Sequence, residues 1–230
     1  MALISKRILY MTDIKYSFPK VASKTDERFR GLVRKTETPM ADIANMAHVQ
    51  RWHASHVSRP QTLEEHVCLV TMYAHKLLQK INRNHSNDDS LALVLYALYH
   101  DLSESVLGDL PTPSKRYLES MFPVGQSPLD ELEEMVCPEQ AKYTQAIKGT
   151  YLAHIGKLSD ILDALHFIGL EGKGPRGNMV FKGRNKAFDD LVNKAKSEFP
   201  EYDWDAAHVV RDELLNGQCT EIEFVESFQK

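Results

Sequence analysis

The chain has 230 residues, 43% of them apolar, with a formal net charge of −4 and three cysteines. That length suits one domain with appendages, and that apolar fraction is enough for a globular core. The charge excludes a general basic field for a nucleic-acid polymer, no apolar run is long enough to span a membrane, and scattered Cys68, Cys137 and Cys219 suit a reducing cytoplasm better than a disulfide framework.

Residues 1–38 are poorly periodic and read as an N-terminal extension, in which "ILYMTDIKYSF" is a candidate short strand and "SKTDERFRGLVRKTETP" a polar connection or short helix. From Pro39 to residue 230 the pattern is that of one helical domain. "PMADIANMAHVQRW" places Met40, Ile43, Ala44 and Ala47 at helical spacing, and a His-, Ser-, Arg- and Pro-rich loop runs from His53 to Gln61. Thr62 with Glu65 three residues on is a capping box, and Leu63, Val67, Val70, Ala74, Leu77 and Ile81 make the buried stripe of the helix it opens. Asn87, Asp88 and Asp89 start "SLALVLYALYHD", which is apolar nearly all round and reads as a central, enclosed helix. Gly108, Pro111 and Pro113 break the chain into a loop. "PLDELEEMVCPEQAKYTQAIKG" and "TYLAHIGKLSDILDALHFIGLEG" are the next helical segments. "GKGPRGNMVFKGR" reads as a basic glycine-containing loop, and "NKAFDDLVNKAKSEFP" and "DWDAAHVVRDELLNG" end the helical series before a charged tail. Strand signals are weak throughout, so the fold class is all-α.

At the end of its apolar helix the chain places His100 and Asp101, then Glu104 and Asp109. Unpaired charge against apolar surface costs several kcal/mol, so a compensating partner is required. A divalent metal supplies one, because a His-Asp pair offers a neutral nitrogen and an anionic oxygen, a mixture that suits Mn, Co, Fe, Ni or Zn. Further ligands are sought on other helices: His66 in the first turn of the capped helix, and Asp160 or Asp163, equal on spacing, within "KLSDILDALHF".

The ordered motifs "RW", "EEH", "HDLSE", "GDLPTPSK" and "KLSD" resemble those of the HD-domain phosphohydrolases, in particular the branch of YfbR-like 5′-deoxynucleotidases and DatZ-like phage dATP triphosphohydrolases. The resemblance covers roughly residues 43–171 and implies an HD-domain helical bundle. It implies a metal site of His66, His100, Asp101 and Asp160. Asp160 is chosen over Asp163 because Lys157 stands one turn before it, a spacing that puts the two on one helical face. By the same resemblance Glu104 positions or deprotonates the attacking water and Asp109 lies on the leaving-oxygen or sugar side. Arg51, Lys115 and Lys157 meet phosphate oxygens, and Trp52 lies against base or deoxyribose. Asp109 could instead cap its loop, though the whole "GDLPTP" string favours function, and Trp52 could equally be an ordinary core residue.

The expected activity is hydrolysis of the 5′-phosphate ester of a 2′-deoxynucleotide, with a divalent transition metal (Co, Mn, Zn or similar) as cofactor and a cytoplasmic homo-oligomer as the form. Lys173, Arg176, Lys182 and Arg184 carry more positive charge than one phosphate requires and favour dATP cleaved to deoxyadenosine and triphosphate. The alternatives are a 5′-deoxynucleotidase acting on monophosphates and a non-catalytic regulatory or assembly module. Retention of all four ligands and Glu104 argues against the latter, and "GDLPTP" points away from a cyclic-nucleotide phosphodiesterase.

Overall fold

The structure, a computed structural model, describes residues 35–123 and 127–217, all within a compact unit that starts at Arg34. The expected strand "ILYMTDIKYSF" and the charged C-terminal tail lie outside the described residues, as does the N-terminal extension up to Arg34. The described end of that extension is tied down: Lys35 N–H donates to the Met135 carbonyl, and the buried Thr38 donates to Glu139.

The elements are helical apart from one short ribbon. Helix α1 (Met40–Ala44) runs into a 3₁₀ turn (Asn45–Ala47), and β1 (Gln50–Arg51) pairs antiparallel with β2 (Gln61–Thr62), Arg51 opposite Gln61. Then come α2 (Leu63–Ile81), α3 (Asn87–Tyr99), the single turn α4 (Glu104–Leu107) and α5 (Thr112–Ser120). The rest are α6 (Pro128–Val136), α7 (Pro138–Ile147), α8 (Tyr151–Glu171), α9 (Gly174–Glu198) and α10 (Asp205–Leu215). Among the described residues no helix is long and apolar enough to cross a membrane.

Helix α2 has the expected buried stripe, and its Thr62 hydroxyl accepts the Glu65 N–H at 3.1 Å. The Glu65 carboxylate does not close the box; Arg59 holds it with two hydrogen bonds. Helix α8 is the centre of the molecule and packs on α2, α3, α9 and α10, with Leu152, Ile155, Leu158, Leu162 and Leu165 in the common core. Helix α3 is not the enclosed one: it buries Leu93 and Ala97, while Leu91 and Leu98 stay exposed, because its neighbours α2, α7 and α8 cover only part of it.

Three other expectations are corrected. The helix expected over residues 39–52 stops at the 3₁₀ turn, because the loop beyond folds back and engages the backbone of residues 50–51 in the ribbon. The segment from Pro128 to Ile147 is two helices, since Pro138 disfavours helical geometry at Cys137, which sits at φ −139°, ψ 80°. The basic loop over residues 172–184 is instead the first part of the 25-residue helix α9. Pro175 lies in its first turn, where a missing N–H costs nothing, and Gly177 is used for close packing: a Cβ there would stand 2.9 Å from the Gly172 carbonyl carbon.

Gly156, in the middle of α8, lets the Tyr96 ring of α3 lie flat on the helix, since an added Cβ would fall 2.3 Å from a ring carbon. Gly156→Ala gains about 1 kcal/mol of helix propensity but incurs an overpacking cost of about 1–3 kcal/mol. Thermal unfolding should therefore show a lower Tm for this variant, against the rise that propensity alone would give.

Candidate metal centre

Three elements converge on one point. Capping by Thr62 sets the start of α2 and holds His66 in its first turn, facing inward and 1% exposed. Helix α3 ends at Tyr99, so His100 and Asp101 leave it in a turn, and the His100 Nδ1 donates to the open Ala97 carbonyl at 2.8 Å. Asp160 comes from α8. His66 Nε2 lies 3.2 Å from His100 Nε2, 3.3 Å from Asp101 Oδ2 and 3.8 Å from Asp160 Oδ1, and His100 Nε2 lies 3.4 Å from Asp101 Oδ2.

The tautomers follow from the partners. A carbonyl oxygen only accepts, so His100 carries its hydrogen on Nδ1. The His66 Nδ1 stands 2.6 Å from Asp163 Oδ2, and that buried carboxylate likewise accepts. Both Nε2 lone pairs therefore face each other and the Asp101 carboxylate. A proton or a cation is needed between them, and His66, Asp101 and His100 form a group able to hold a metal. The electrostatics agree. Burial and the Arg51 charge pull the His66 pKa down, but hydrogen bonds to Asp101 and Asp163 prevail and raise it. Burial works against the Asp101 charge, yet His100, His66 and Arg51 hold its carboxyl well below the usual range. For Asp160 burial is outweighed by Lys157 and His66, and its pKa is depressed. Two imidazole nitrogens and two carboxylates fit a divalent transition metal.

Around this cluster, Arg51 of the ribbon donates from Nη1 to Asp101 at 2.8 Å and to Glu104 at 3.1 Å; its Nε is buried without a partner among the described residues. Burial and Asp101 push the Glu104 pKa up to about 9. Asp109 follows Gly108 and lies 3.4 Å from His53 Nδ1. Lys157 is tied to Asp160 at 2.8 Å with 59% of its side chain exposed, and Lys115 is tied to Glu133 at 2.6 Å. Trp52 is the one described non-glycine residue with positive φ, 66°. Its indole N–H donates to Gln61 at 2.9 Å and its ring stacks on Phe167.

Beside the cluster opens a cavity of about 370 Å³. Arg51, Trp52, His53 and Asp109 line it together with Arg116 of α5 and Arg176 and Arg184 of α9. The structure thus brings Arg176 and Arg184 to the cavity, whereas Lys173 and Lys182 do not line it. Arg116, Gln61 and the role of Asp163 had no signal in the sequence beyond residue type. A second cavity, beyond Tyr96, is lined by Asp130, Glu133 and Glu134.

A family model described as 5′-deoxynucleotidase YfbR-like matches residues 39–211. A dATP triphosphohydrolase of Acinetobacter phage SH-Ab 15497 is 27% identical over 197 residues, 80% of this chain and 95% of its own. A 5′-deoxynucleotidase of Vibrio parahaemolyticus is 39% identical over 80 residues, 34% of this chain and 40% of its own. Among solved structures, the HD phosphohydrolase DatZ of cyanophage S-2L, bound to dA and one catalytic Zn²⁺, superposes with a TM-score of 0.67 at 20% identity, over 78% of this chain and 98% of that one. Fold, motif order and family match agree: the chain belongs to the YfbR-like 5′-deoxynucleotidase family and is an HD-domain phosphohydrolase.

Proposed function

We propose that this enzyme hydrolyses the 5′-phosphate ester of 2′-deoxynucleotides and that its favoured substrate is dATP, released as deoxyadenosine and intact triphosphate. One observation carries the choice of triphosphate. The cavity that shares Arg51 and Asp109 with the metal cluster is lined by Arg116, Arg176 and Arg184, so three guanidinium groups stand beyond the cluster where a phosphate tail would lie. The phage relative named a dATP triphosphohydrolase supports the same reading. The family model's description favours the second reading, a 5′-deoxynucleotidase acting on monophosphates.

His66, His100, Asp101 and Asp160 would hold the divalent metal, and when bound it lowers the pKa of a water and polarises a phosphoryl oxygen. The remaining work falls to the chain. Arg51, with a buried Nε free of any described protein partner, donates to the oxygens of the phosphorus under attack. Burial and Asp101 raise the Glu104 pKa; a cation offsetting the Asp101 charge would lower it and favour the carboxylate, which takes the proton of the attacking water. A water oxygen–phosphorus bond forms, the bond from phosphorus to the 5′-oxygen breaks, and that oxygen leaves on the side of Asp109 and His53 and takes a proton from solvent water, while Glu104 returns its proton to solvent. Lys157 and Lys115 add positive charge at the rim, and Trp52 lies against base or deoxyribose.

Glu104→Ala should keep its metal and its fold yet lose about two to four decades of kcat, the usual scale for a positioned acid or base; a normal rate would make Glu104 structural. A charge-assisted contact contributes about 1.5–3 kcal/mol, so Arg176→Ala with Arg184→Ala should lower kcat/KM for dATP by at least about tenfold and barely alter that for dAMP. In the same assay, separated products of the wild-type protein with dATP should be deoxyadenosine and triphosphate. Stepwise phosphate with dAMP the better substrate would establish the monophosphatase.

A further inference from the structure

A buried chain of hydrogen bonds joins the metal cluster to Trp52. The Trp52 Nε1–H donates to Gln61 Oε1 at 2.9 Å, and Gln61 Nε2 donates to Asp163 Oδ2 at 2.9 Å. The same Oδ2 accepts from His66 Nδ1 at 2.6 Å, and His66 presents its other nitrogen to the cluster. Every orientation is fixed by chemistry: an indole only donates, a carboxylate only accepts, so the Gln61 amide has one way to lie. Gln61 and Asp163 are fully buried, and Asp163 Oδ1 has no hydrogen-bond partner among the described residues. A buried carboxylate with an idle oxygen is a poor device for stability alone. Trp52 is held at a positive φ that a bulky side chain avoids, and this conformation persists because Gln61 and Phe167 fix the ring.

We propose that Gln61 and Asp163 are positioning residues that couple metal occupancy to the orientation of Trp52: Asp163 fixes the His66 tautomer and ring plane for the metal, and Gln61 carries that constraint to the indole on the wall of the substrate cavity. This rests on the metal reading given above. A metal at His66 Nε2 would polarise the imidazole and strengthen donation from Nδ1 to Asp163 Oδ2; that oxygen also accepts from Gln61, so the Gln61 contact would slacken and the change would be felt at the indole. The coupling is reciprocal, so a ligand that shifts Trp52 and its bond to Gln61 alters the metal affinity at His66 by the same factor.

The test uses Zn²⁺ alone, titrated into chelator-stripped protein against a chromophoric competitor, with tryptophan fluorescence read in parallel. Wild type should bind Zn²⁺ with a fluorescence change that Trp52→Phe removes. Asp163→Asn, which keeps shape and acceptor but not charge, should weaken Zn²⁺ by about 10- to 100-fold, the scale for such outer partners. Gln61→Met should keep the wild-type Zn²⁺ affinity and lose the fluorescence change. Unchanged affinity in Asp163→Asn, no wild-type fluorescence change, or its survival in Gln61→Met overturns the coupling. Failure of the wild-type protein to bind Zn²⁺ overturns the metal centre itself, and the coupling with it.

Discussion

The site rests on two imidazoles whose Nε2 lone pairs point at each other across 3.2 Å. Their Nδ1 hydrogens are committed elsewhere, one to the Ala97 carbonyl and one to Asp163, so neither ring can turn to relieve the opposition without losing a buried hydrogen bond. Asp101 and Asp160 add anionic oxygens to the same point. Left bare, this is an expensive arrangement to bury; the proposed divalent cation would make it favourable and would account for a His-Asp pair set against the apolar core. Much of the surrounding fold serves this constraint. The Thr62 cap aims His66, the end of α3 releases His100 and Asp101 into a turn, and the enclosed helix α8 delivers Asp160.

Charge is partitioned around that point. Arg51 bridges Asp101 and Glu104 and lines a cavity together with Arg116, Arg176 and Arg184. The close approach of Gly177 to Gly172 matters here, because it sets the tight corner from which α9 carries Arg176 and Arg184 to the cavity.

Periodicity made α2 legible, since it buries a long apolar stripe, and the Thr62 signal marked where it starts; α8, buried on nearly every side, was legible only as a helical segment. Glycine misled at α9: three glycines and a proline within ten residues read as a loop, but the proline lies in the first turn and Gly177 serves packing, neither of which local sequence reveals. Apolarity misled at α3, because enclosure depends on how many neighbours a helix has, and Leu91 and Leu98 have too few. Among the site residues, motif order brought out those that gather around the cluster. Spacing could not separate Asp160 from Asp163; tertiary structure does, placing Asp160 at the His66 Nε2 and Asp163 behind the ring at Nδ1. Gln61 and Arg116 reach the site through pairing and helix docking that no short-range pattern encodes.

The central claim is that His66, His100, Asp101 and Asp160 enclose one transition-metal position. Crystals grown with Mn²⁺, Co²⁺ or Zn²⁺ and measured on either side of the metal's absorption edge test it most directly. The account requires an anomalous peak between the two Nε2 atoms and the Asp101 and Asp160 carboxylates, at about 2.0–2.2 Å from each donor if the ion is zinc. No peak there with the metal bound elsewhere, or the two imidazoles joined by a proton in metal-saturated crystals, would contradict it.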